Sequence, residues 1–159
     1  MRKAFDYLIK ERQVGYDVSM ASSVEEALTI SNLNWTVEST PIYFMNNGVM
    51  EFIPNQKLNI RTEDRKPLGI VTDRYQVCQN LEAFDFVNNL LDTGEVEFTR
   101  AGAFRGGKSI WIQGKISEDS EILGDIVEKY VLFTYTHDGT GSIRVLFTPV
   151  RLACSNAIN

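Results

Sequence analysis

The chain has 159 residues, 43% hydrophobic and 23% charged, with a formal net charge of −5. That length suits a single domain over residues 1–159 whose core needs no disulfide or metal staple, and the composition excludes a largely disordered chain. One histidine and two cysteines, Cys78 and Cys154, are too few for the usual Cys/His zinc site, so free buried thiols and no metal or cofactor are expected.

In chain order, residues 2–13 are expected to form a short helix. The N-terminus turns charged before an apolar signal region forms, and no run approaches the ~18 apolar residues that span a bilayer, so a cytoplasmic location is expected. Ser23-Val24-Glu25-Glu26 reads as a capping box opening a helix that places Val24, Ala27 and Leu28 on one face and stops near Asn32. From Trp35 the period becomes alternating. Trp35 and Val37, Ile42 and Phe44, then Val49 and Phe52 mark short strands, with Asn46-Asn47-Gly48 as a hairpin turn. Leu58–Arg61 and Leu68–Val71 read as two more strands, joined by a charged turn from Thr62 to Pro67. Asn80 is the expected cap of a helix over 81–92, ended by Gly94 in a left-handed conformation. Four strands should follow, over about 95–103, 108–116, 129–136 and 142–152. The implied fold class is α+β: one mainly antiparallel β-sheet with helices packed on one face.

Three patterns suggest chemistry. Gly102-Ala103-Phe104-Arg105-Gly106-Gly107-Lys108-Ser109 satisfies the phosphate-loop pattern. That chemistry needs the loop to open a helix, so that backbone N–H groups face the phosphates. The following Ile110-Trp111-Ile112 is β-branched and aromatic, so a hairpin turn is expected and a nucleotide-binding enzyme is the remote reading. His137-Asp138 suggests an oriented imidazole, but adjacent residues seldom face each other, and a glycine-turn opening is the plainer reading. The carboxylate pairs Glu25-Glu26, Glu63-Asp64 and Glu118-Asp119 read as solvated faces. No catalytic residue is assigned. The aromatics Tyr43, Phe44, Phe104, Trp111, Phe133, Tyr135 and Phe147 are expected mostly in the core, with one or two free to stack bases.

The charge is unevenly spread. Residues 99–115 and 139–159 carry Arg100, Arg105, Lys108, Lys115, Arg144 and Arg151 and no acid, while Glu118, Asp119, Glu121, Asp125 and Glu128 crowd 118–128. A net-acidic chain is a poor bulk binder of nucleic acid, yet a locally basic face can still grip phosphates.

Four stretches carry a family resemblance: Ser23–Leu28 running into Leu33–Val37; Leu68–Val71 through Tyr75–Asn80; Phe104–Gly107; and His137–Gly139 leading to Thr148–Asn156. In order and spacing, from about residue 20 onward, the chain resembles the phage/plasmid-like protein family of unknown function (domain-of-unknown-function family 932). The resemblance implies a phage-, prophage- or plasmid-encoded protein and brings no established activity or cofactor. It also implies a short or trimmed member lacking the family's C-terminal helical region, with Gln13–Tyr16 in place of a tryptophan–histidine–glycine stretch. A fainter, architectural similarity is to the single-strand annealing proteins of phage recombination. The expected function is therefore that of a non-enzymatic accessory protein binding single-stranded nucleic acid in replication or recombination. Its expected phosphate contacts are Arg100, Arg105, Lys108, Arg144 and Arg151. The alternative is a protein-interaction module whose partner is a host or phage protein or further copies of the chain.

Overall fold

The computed structural model describes residues 14–151 apart from Gly141, and the side chains of all of these except Val150 and Arg151. The helix expected over 2–13, Cys154 and the resemblance segment beyond Arg151 lie outside the described residues.

Two short β-residues, β1 (Tyr16–Asp17), precede helix α1 (Val24–Ile30). Ser23 caps α1 as expected, its hydroxyl accepting from the Glu26 N–H. The return half of the box is shifted: Glu26 accepts from the N–H and hydroxyl of Ser22, one residue earlier. The helix ends at Ser31, and Asn32 takes a φ of 56°. The next strands are longer than the sequence suggested. β2 (Val37–Asn46) and β3 (Val49–Arg61) form one hairpin through Asn47 and Gly48, at φ 48° and 83°. A register shift at Pro41 breaks the alternation, which is why the pattern read as separate short strands.

After β4 (Pro67–Thr72) the expected helix over 81–92 is split into α2 (Asn80–Phe84) and α3 (Val87–Asp92). The break coincides with Asn88. Its side chain accepts from the Val24 N–H at the start of α1 and donates to Asp85, while its own N–H bonds the Asp85 carbonyl three residues back. Asn80 is not the cap. Gln79 takes that position, and its side chain also pairs with Val37 N–H and C=O at 2.9 Å each, docking α2 against β2. Gly94, at φ 72°, ends α3 as expected, with its N–H on Leu91 and that of Glu95 on Leu90.

The remaining strands are β5 (Val96–Phe104), β6 (Ser109–Ile116), β7 (Ser120–Ile122), β8 (Asp125–Thr136) and β9 (Arg144–Arg151). All pairings are antiparallel, but they form two sheets where one was expected. The larger runs β1-β5-β6-β8, with β7 and β9 both on β8; the smaller is β2-β3-β4. The short helices touch β5 and β8 of the larger sheet.

The central strand β6 is buried on both faces. Ile110 and Ile112 join the main core with Val24, Leu28, Phe84 and Phe133. Trp111 and Leu132 form a second cluster on the opposite face with Val14, Phe104 and Leu146. Each such side chain removed from water contributes about 1.5–3 kcal/mol. Trp111, Phe133 and Tyr135 are buried, as alternation implied. Tyr43, Phe44 and Phe147 are exposed instead. For the first two the reason is that β4 pairs only with residues 56–60 of β3, so among the described residues no third strand lies beside the far half of the β2–β3 hairpin.

Candidate functional site

Where the two sheets meet, the β5–β6 turn, the β3–β4 turn and the loop after β8 come together. Residues 102–109 close the β5–β6 hairpin and enter strand at Ser109, so the helix N-terminus that a phosphate loop requires is not made there. Arg105, Gly106 and Gly107 all adopt positive φ, of 50°, 68° and 97°. The glycines do so at little cost. Arg105 is held by its guanidinium, which donates to Ser109 Oγ at 2.9 Å and to Asp138 Oδ2 at 3.1 Å.

The glycines serve a second purpose. A Cβ on Gly106 would lie 2.6 Å from Lys66 Nζ, and one on Gly107 3.0 Å from an Arg61 guanidinium nitrogen. Two cations from the smaller sheet therefore rest against the bare backbone of this turn, beside Arg105 and Lys108. Arg61 is fixed in place. It lies 5.3 Å over the Trp35 ring and makes a two-pronged contact with Asp64 at 2.9 and 2.6 Å. That guanidinium holds the Asp64 carboxyl down at about 2. Lys66 and Lys108 enter no ion pair among the described residues. Sequence reasoning missed Arg61 and Lys66, because they stand some forty positions upstream and only the meeting of the sheets brings them here.

The expected basic residues divide. Arg105 and Lys108 share the turn. Arg144 opens β9 opposite Thr134, two strands across from Trp111 near the same end of the sheet, roughly 10 Å away. Arg100 lies back along β5, its guanidinium donating to the Val14 and Gly15 carbonyls at 2.6 Å each, so it anchors the segment leading into β1. Arg151 pairs with Val127, nine positions along β8 from Thr136 and so about 30 Å from the turn. The five do not form one face; three of them lie at one end.

Beneath the turn sits His137, fully buried. Its N–H donates to the Lys108 carbonyl at 2.7 Å, and its carbonyl accepts from Asn59 Nδ2 on β3 at 2.9 Å. Asn80 Nδ2 donates to the carbonyls of Leu33 and Trp35, so Asn80 Oδ1 is an acceptor for His137 Nε2 at 2.6 Å. The imidazole is therefore the Nε2–H tautomer, and its buried Nδ1 has no hydrogen-bond partner. Burial lowers the imidazole pKa to about 4, against the opposing pull of the Asp138 carboxylate. His137 also packs on Trp35 and Tyr135, and the Tyr135 hydroxyl lies 3.0 Å from that of Tyr75.

His137 and Asp138 do not act as a pair. Asp138 turns outward to Arg105 and to the N–H and hydroxyl of Thr140. Burial pushes the Asp138 carboxyl up, but these donors outweigh it and hold the group below its usual value. Cys78 is half-buried, and burial pushes its thiol up. Among the described residues no three His, Cys, Asp or Glu side chains gather as metal ligands, and no helix is long and apolar enough to cross a membrane.

Several of the segments that carried the resemblance meet here, whereas Thr148–Arg151 runs to the far end of β9. Leu68–Val71 is β4, whose Gly69 abuts the Asp138 backbone; Tyr75–Asn80 leads into α2; Phe104–Gly107 is the turn; His137–Gly139 follows β8. No curated protein and no solved structure matches the chain. A family model does match, from residue 67 to 159, leaving the Ser23–Val37 stretch outside it. Over that span, which is more than half of its length, the chain belongs to the family described as Domain of unknown function (DUF932).

Proposed function

We propose that this is a non-enzymatic accessory protein of phage, prophage or plasmid origin that holds the phosphate backbone of a single-stranded nucleic acid in the cytoplasm, during replication or recombination. The observation that carries the reading is the cation cluster on the glycine turn: Lys66 and Arg61 against Gly106 and Gly107, with Arg105 and Lys108 in the same turn. Arg61 and Arg105 are each tied to one carboxylate, whereas Lys66 and Lys108 are not ion-paired among the described residues. A phosphate beside the turn meets positive charge from both sheets, Lys66 and Arg61 on one side and Arg105 and Lys108 on the other. Such contacts read charge and leave bases free to pair. The family resemblance supports the phage or plasmid setting.

The test is fluorescence anisotropy of a labelled oligothymidylate across a salt series, with Lys66→Gln/Lys108→Gln as the variant. Each phosphate contact adds about 0.7 to the slope of log affinity against log salt for a single strand, so losing two should flatten it by roughly 1.4. No binding at low salt, or an unchanged slope in the variant, would defeat the proposal.

A further inference from the structure

The far half of the β2–β3 hairpin, residues 42–53, is an arm with an apolar face that stands exposed among the described residues. The register opposes Tyr43 to Phe52 and Met45 to Met50, and residues two apart on a strand share a face. These four therefore line one side of the arm. They are 54%, 54%, 63% and 65% exposed. The Tyr43 and Phe52 rings pack at 5.7 Å, so the face is a formed surface. The other side is mixed: Phe44 stands opposite Glu51, whose carboxylate accepts from Asn46.

We propose that this face is the self-association surface of the protein, and that its occupant is the same face of a second copy. Area and complementarity select that occupant. Large side chains present ~150–250 Å² each, so four of them a little over half exposed offer about 450–500 Å² of apolar surface. Roughly 60% of an interface is apolar, which scales this to about 800 Å² per partner, the size of a standard stable interface.

As for complementarity, a two-fold interface sets a patch against its own copy, so a patch with net charge of one sign would repel itself. This face carries none. It offers two aromatic rings and two methionines, and a two-fold stack can place the thioethers of one copy against the rings of the other. Pairing through the free edge of β2 is a poorer route, because Pro41 lacks an N–H and a bulge follows it. The inference is independent of nucleic-acid binding.

Sedimentation velocity on the full chain at micromolar concentrations tests it, using the wild type, Met45→Lys/Met50→Lys and Met45→Glu/Met50→Glu. The wild type should sediment as a dimer. Each charged variant should raise the dimer dissociation constant ~10-fold or more, since like charges then oppose each other across the contact. Mixing the two variants should restore dimers, and circular dichroism should match the wild type throughout. A wild type that stays monomeric at its highest soluble concentration overturns the proposal, whether or not the variants fold. So do variants that dimerise undiminished, or a monomeric wild type whose arm instead binds neutral lipid vesicles.

Discussion

Acidification should unfasten the junction between the sheets before it disturbs the surface ion pairs, because the chain's one histidine is buried at that junction in its neutral form. The ordinary imidazole value is 6.5, and in the folded protein it is lowered to about 4. Between these values the unfolded chain binds a proton that the folded chain refuses. Stability that is full above about 6.5 is therefore lost as the pH falls toward 4, and below that no more is lost through this group. The slope reaches at most ~1.4 kcal/mol per pH unit, so the whole window is worth up to about 3 kcal/mol. Of the groups around the ring, only the Asp138 carboxylate favours the cation. The Trp35 and Tyr135 rings and the Asn80 carboxamide carry no charge, and Nδ1 has nowhere to place a proton.

The carboxylates leave that window clear. Asp17, Glu26, Asp64 and Asp138 all titrate below their ordinary values, so what they contribute is present above about 4.5 and is lost only at lower pH. Urea unfolding followed by the fluorescence of the buried Trp35 and Trp111 at closely spaced pH values measures the effect. The wild-type midpoint should fall steadily from pH 6.5 to 4.5. His137→Gln, which keeps a polar group but cannot titrate, should start lower and stay nearly flat over the same range. Parallel declines in the two proteins would refute the reasoning, since the loss would then come from elsewhere.

Two substitutions test how the junction is closed. Gly69→Ala should cost ~1–3 kcal/mol, because the new methyl meets the Asp138 backbone, which cannot swing aside; Gly48→Ala, with open space around it but a φ of 83°, should cost only ~1–2 kcal/mol of backbone strain. Denaturation midpoints check the order, and the close-approach argument fails if Gly69→Ala is the milder change. Asn80→Ala should cost at least ~1–3 kcal/mol by stranding the His137 N–H and the Leu33 and Trp35 carbonyls in the interior. An unchanged melting temperature would show that those groups find other partners.

What could be read from the sequence was whatever a short stretch dictates by itself. Asn47-Gly48 had to be a hairpin turn, and Gly94 a helix end, because those φ values exclude most residues. What depended on distant partners was not legible. Asn80 has the right chemistry for a helix cap, and the same carboxamide is here spent on buried carbonyls and an imidazole. Glu118 and Asp119 are exposed, as a solvated face implied, but no strand was read over 118–128, which holds β7, the start of β8 and a tight turn at Leu123-Gly124, with φ of 54° and 83°. Leucine is a poor signal for such a turn. Glu128 and Asp119 are held by Lys115, at 3.2 and 3.6 Å.

The same distinction separates the parts of the candidate site. The patterns that looked most like chemistry, Gly106-Gly107-Lys108 and His137-Asp138-Gly139, chiefly solve a packing problem: two sheets must approach backbone to backbone. Glycine lets Asp138 come against Gly69 and lets Lys66 and Arg61 reach the β5–β6 turn, while the imidazole and Asn59 satisfy polar groups trapped between the sheets. A consequence follows for charge. Once side chains are cleared from the turn, cations drawn from remote segments stand over bare backbone, although none of those segments is strongly basic by itself. A net-acidic chain thereby carries a local positive spot that bulk charge does not foretell, and its strength depends on the junction staying closed. Loosening the His137 anchor should weaken any anion held at the turn even though no cation has been removed.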